Sequence, residues 1–73
     1  QNNYKKVRVT ADGLNPASFE LPGVTNVQTD NGTVNFFFKG DINAVLQKIS
    51  AIQVTDVTIE EPTLEEIFMH YYE

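Results

Sequence analysis

The dipeptide Asn31-Gly32 separates two seven-residue segments, 24–30 and 33–39, that both read as strands. Asn-Gly accepts positive φ at both central positions of a two-residue turn, so it commits the middle of the chain to an antiparallel hairpin. Successive strand side chains point to opposite faces. Val34, Phe36 and Phe38 therefore share one face, and Asn35, Phe37 and Lys39 share the other. The Val34 face is assigned to the core, which leaves Phe37 pointing away from it. Val27 is placed with Phe37 on a second face that is not wholly polar.

The flanking segments add strand and helix patterns on each side, with no internal repeat. Val7, Val9 and Ala11 alternate with Lys6, Arg8 and Thr10, the period of a half-buried strand. Asn15-Pro16 then reads as an N-cap with proline at the first helical position. Pro22-Gly23 stops that helix after a turn or two, with Phe19 and Leu21 as its anchors. After the hairpin, Gly40-Asp41 caps a second helix. Its apolar stripe is Ile42, Val45, Leu46, Ile49 and Ile52. Residues 54–59 form a last strand, with Val57 and Ile59 inward and Asp56 and Thr58 outward. Pro62 ends it.

Thr63-Leu64-Glu65-Glu66 is a capping box, in which the Thr63 hydroxyl accepts from the Glu66 amide and Glu66 reaches back to the Thr63 amide. Leu64, Ile67, Phe68 and Tyr71 are expected to form the core-facing side of this final helix. Met69, His70 and Tyr72 are then expected to face outward. The order β-α-β-β-α-β followed by a helix predicts an α+β, ferredoxin-like four-stranded antiparallel sheet with an extra C-terminal helix. That helix either joins the first helical layer or crosses to the opposite face.

Length and charge limit what such a chain does. At 73 residues it holds a single domain, 1–73, and without cysteine its core has no covalent staple. Residues 1–54 carry Lys5, Lys6, Arg8, Lys39 and Lys48 against four carboxylates, whereas residues 55–73 carry six carboxylates and no Lys or Arg. The net charge of -5 is therefore local to the last 19 residues. Part of it suits a helix start, and part is open to a partner-facing acidic patch. The acidity argues against nucleic acid, and Phe36 and Phe38 read as core and not as base-stacking platforms.

Catalytic signals are sparse. The lone His70, near a helix C-terminus, reads as a dipole-stabilised surface residue. Glu60, Glu61, Glu65 and Glu66 lack the spacing of a calcium loop, and no metal is assigned to them. The four glycines are too widely spaced for a phosphate loop. Neither a secretory leader nor an apolar stretch of membrane-spanning length is read.

The run Val57-Thr58-Ile59-Glu60-Glu61-Pro62-Thr63-Leu64-Glu65-Glu66-Ile67-Phe68-Met69-His70-Tyr71-Tyr72 resembles the end of the ATP-binding subunits of bacterial ABC transporters of the drug-export or ABC-2 type. Thr63 stands where serine is usual, and Met69 where leucine is common. Leu21-Pro22-Gly23-Val24 and Gly40-Asp41-Ile42-Asn43 extend the resemblance over most of residues 14–72. It implies that the chain is a C-terminal fragment of a larger ATPase subunit whose parent couples ATP hydrolysis to export. The fragment itself is then non-catalytic and binds no cofactor, with ATP and Mg expected in the upstream domain. Its location would be cytoplasmic, peripheral to the membrane through the transporter. Partners implied are its own nucleotide-binding domain, the second ATPase subunit or the membrane subunit, with a homodimer as a further candidate. The interaction surface expected is Phe37, Glu60, Glu61, Glu65, Met69, His70 and Tyr72. A stand-alone ferredoxin-like small-ligand sensor is the alternative.

Overall fold

The computed structural model describes residues 4–71. Its elements are β1 (Lys5–Thr10), a 3₁₀ helix (Pro16–Phe19), β2 (Val24–Asp30), β3 (Thr33–Phe38), α1 (Ile42–Ser50), β4 (Asp56–Glu60) and α2 (Leu64–Tyr71). The strands form one antiparallel sheet in the order β2-β3-β1-β4. The chain is α+β, with two α-helices and a 3₁₀ turn in the place of the first helix.

The hairpin forms where Asn31-Gly32 places it. Asn31 has φ 50° and Gly32 φ 81°, the paired positive values that match strand twist. The Gly32 carbonyl also accepts from the Ala11 amide at 3.0 Å, which ties the turn to the end of β1. Gly23 is needed for a different reason. A Cβ there would stand 2.2 Å from the Lys39 carbonyl oxygen, at φ 93°. Only glycine lets the two backbones approach this closely.

One sheet face carries the core. Val7 and Val9 of β1 and Val34, Phe36 and Phe38 of β3 are buried, covered by Phe19 of the 3₁₀ helix and Val45 of α1. The Phe19 and Phe36 rings lie 5.2 Å apart, tilted by 33°. Val57 and Ile59 of β4 pair with Val9 and Val7 and pack against this cluster from the edge. Asn15 caps the 3₁₀ helix by accepting from the Ala17 amide, and Asp41 caps α1 by accepting from the Asn43 amide. The α1 stripe is narrower than its periodicity implies: Val45 is buried, Ile42 and Ile49 are half-buried, and Leu46 is 43% exposed. Leu46, next to the buried Val45 at the edge of the stripe, is the one stripe position not packed on the core, whereas Ile52 packs against it from beyond the end of the helix.

Helix α2 lies against the opposite, second face, where it meets Lys6 of β1 and Asn26 of β2. Its orientation differs from the expected one. Leu64 is 83% exposed and Phe68 58%, while Glu66, Ile67 and His70 are half-buried. The Tyr71 side chain and Tyr72 lie outside the described residues. The second face is mostly polar, so it selects the helix side that offers ionic and aromatic partners. The apolar pair Leu64 and Phe68, one turn apart, is left on the outside.

Strand β2 departs from simple alternation. Thr25 pairs with Phe37 and Gln28 with Asn35, so Asn26 and Val27 together stand opposite Phe36. This is a β-bulge, and Asn26 occupies the left-handed region at φ 55°. The bulge moves Gln28 onto the second face beside Asn35 and takes Val27 off it. The expectation that Val27 shares the second face with Phe37 is therefore corrected.

Candidate functional site

Capping geometry starts α2 where the sequence places it. The Thr63 hydroxyl accepts from the Glu66 amide at 3.1 Å, and the Glu66 carboxylate accepts from the Thr63 amide at 2.8 Å. The other Glu66 oxygen accepts from the Lys6 ammonium on β1. One carboxylate thus closes the helix end and ties it to the sheet. The Lys6 hydrogen bond, then the Thr63 amide, hold the Glu66 carboxyl below the usual glutamate range.

One turn later the helix is held by rings. His70 meets Tyr4 edge-on at 4.9 Å between centroids and Phe37 at 5.3 Å and 88°. The Asn26 amide donates to His70 Nδ1 at 3.0 Å. Pro62 and Ile67 close the same small cluster from the helix side. The Lys39 ammonium lies 5.7 Å from the centre of the Tyr4 ring. His70 is therefore a docking residue, and its reading as a surface histidine is corrected. Phe37 points away from the main core, as alternation requires, but is half-buried beneath α2.

Between α2 and the exposed strip of β2 and β3 runs an open cleft of about 420 Å³. Gln28 and Asn35 line its sheet side, Phe37 its floor, Glu65 and Met69 its helix side, and the Lys6–Glu66 pair one wall. Glu65 is exposed in the first turn of α2. Neither carboxamide, Gln28 or Asn35, has a side-chain hydrogen bond among the described residues. Among those residues no group of three or more His, Asp and Glu is placed to hold a metal ion.

The expected surface residues fall into two sets. Phe37, Glu65, Met69 and His70 come together around the cleft. Glu60 is exposed at the end of β4, and Glu61 is exposed and ion-paired with Lys5. Tyr72 lies outside the described residues. Sequence reading missed Tyr4, Lys6, Asn26, Gln28 and Asn35. Period-two alternation already put Lys6 and Asn35 on the face of Phe37. The bulge concealed Gln28, and nothing local marked Tyr4.

Fold and site together define a small α+β domain whose C-terminal helix is clipped to the sheet by a charged and aromatic face. The family profile described as "ATP-binding protein DrrA1-3-like, C-terminal domain" matches residues 1–72. The chain belongs to that family, in agreement with the resemblance carried by its terminal motif. Comparison with curated proteins and with solved structures yields no match. No helix among the described residues is long and apolar enough to cross a membrane.

Proposed function

We propose that this domain is a non-catalytic interaction and regulatory appendage of an ABC transporter ATP-binding subunit. Its parent would couple ATP hydrolysis to export, with ATP and Mg held by the upstream domain. The observation that carries this reading is the two-sided character of α2. Glu66, Ile67 and His70 hold the helix to the sheet, while Leu64 and Phe68 remain exposed on the outside. A helix retained only for packing would turn its apolar residues inward. An exposed apolar pair with the Glu65 carboxylate beside it in the first turn of α2 suits a docking surface. The contact would be made with the parent's own nucleotide-binding domain, the second ATPase subunit or the cytosolic side of the membrane subunit.

The all-antiparallel order β2-β3-β1-β4 supports a ferredoxin-like reading, with the 3₁₀ turn standing in for the first crossover helix. The test uses the full-length ATP-binding subunit carrying Leu64→Glu and Phe68→Glu. Nucleotide binding should be retained, whereas co-purification with the transporter or its ATPase response should fall. Loss of nucleotide binding in a folded variant would refute a non-catalytic role. Unchanged assembly and ATPase activity would refute the docking role.

A further inference from the structure

We propose that the cleft between α2 and the β2–β3 strip is a receptor for an arginine side chain presented by a protein partner. This rests on the interaction role above and adds the chemistry of what is bound. The Lys6 ammonium is engaged by Glu66, and His70 Nδ1 accepts from the Asn26 amide. What remains to face the cleft is the Glu65 carboxylate, which has no ion pair among the described residues, and the Gln28 and Asn35 carboxamides.

Gln28 and Asn35 are cross-strand partners on the second face, so their two carboxamides stand side by side, each able to turn its carbonyl oxygen to a donor in the cleft. The bulge at Asn26 creates this pair, because without it Val27 would stand beside Asn35. One carboxylate and two neutral acceptors suit a monocation. Lys6 and Glu66 cancel, so Glu65 sets the net charge of the lining. Arg8, beside Asn35 in register, does not line the cleft.

Planarity and hydration favour guanidinium over ammonium. A guanidinium carries five donors in one plane and is weakly hydrated, so it loses little on entering a cleft walled by Phe37 and Met69. An ammonium is strongly hydrated and has no flat face to lay on those walls. The cleft volume of about 420 Å³ exceeds one side chain and leaves room for the backbone that bears it. The exposed Leu64 and Phe68 continue the same helix outward, where flanking residues of the partner would lie.

The experiment titrates the ¹⁵N-labelled 73-residue chain with the blocked tripeptide Ac-Ala-Arg-Ala-NH₂ at constant ionic strength. Separate arms use the lysine counterpart, free arginine and inorganic phosphate. Saturable shifts are expected at the Gln28 and Asn35 side-chain amides and at the Glu65 and Met69 backbone. The lysine peptide should bind more weakly by at least about threefold. Glu65→Gln should weaken the arginine peptide by about tenfold, with an unchanged melting curve. Asn35→Ala should weaken it independently of charge.

Absence of saturable shifts, or equal binding by Glu65→Gln, would overturn the proposal. Phosphate shifting the same resonances more strongly would also overturn it. Free arginine binding as tightly as the tripeptide would assign the cleft to a small molecule and overturn a protein-borne occupant. These results are separable from the interaction role. Full-length protein whose assembly needs α2 but whose cleft binds no arginine peptide would retain that role and lose only the cleft assignment.

Discussion

The Lys6 ammonium of β1 and the Glu66 carboxylate of α2 form an ion pair across the second face of the sheet. Glu66 also caps its own helix through the Thr63 amide, so one side chain couples the start of α2 to its docking. A pair this exposed contributes modestly, and much less than the apolar core beneath β1 and β3. Its importance is positional: it chooses which side of α2 meets the sheet.

That pairing has a pH signature. The Glu66 carboxyl is held below its ordinary value by Lys6 and the Thr63 amide. A carboxyl with a depressed folded value stabilises fully above the unfolded value of about 4.3, and the contribution is lost as pH falls through the lower folded value. Glu66→Gln should therefore flatten stability against pH from about 5 downward, relative to the parent chain. Urea melts at pH 6, 4.5 and 3.5 measure this. Identical pH profiles for the two proteins would show that the pair does not form in solution.

Phe68 and Phe36 should respond very differently to truncation. Phe36 is 2% exposed in the core and Phe68 58% exposed on α2. Phe36→Ala is expected to cost about 3–5 kcal/mol. Phe68→Ala should cost less than about 1 kcal/mol. Denaturant unfolding decides this, and a Phe68→Ala loss above 2 kcal/mol would mean that α2 is rotated inward.

Removing the His70 ring should loosen α2 without melting the sheet. His70 holds contacts to Tyr4, Phe37 and Asn26. His70→Ala should speed amide exchange along α2 by about tenfold, the equivalent of roughly one hydrogen bond plus ring contact. Exchange in β1 and β3 should remain as in the parent chain. Equal acceleration in all three elements would make His70 part of the global fold.

Gly23 should tolerate no side chain. Both its φ of 93° and the 2.2 Å approach to the Lys39 carbonyl oppose a Cβ. Gly23→Ala is expected to cost at least about 2 kcal/mol, against about 1 kcal/mol for Gly13→Ser, where φ of 64° strains any side chain but a Cβ meets open space. Thermal melts of the two variants side by side test the contrast.

Local chemistry in the sequence accounts for most of the scaffold. Asn31-Gly32 specified the turn because few other residues accept two positive φ values in succession. Alternation put Val34, Phe36 and Phe38 in the core because a pleat has period two. The Thr63–Glu66 capping box was legible because its partners are three residues apart and need no tertiary context. The terminal motif led to the family for the same reason: it is a contiguous run.

The face used by α2 and the cleft beside it were decided only by tertiary structure. Apolar spacing alone would turn Leu64 and Phe68 inward, yet the core face was already filled by the 3₁₀ helix and α1. The remaining face offered Lys6, Asn26, Phe37 and Tyr4, so the helix turned Glu66 and His70 toward it. The bulge at Asn26 was equally hidden, because register is a property of two paired strands and not of either one. Sequence therefore determined which segments fold and where they stop, since those choices are local. Which surfaces remain for a partner depended on what was left uncovered once the core had closed.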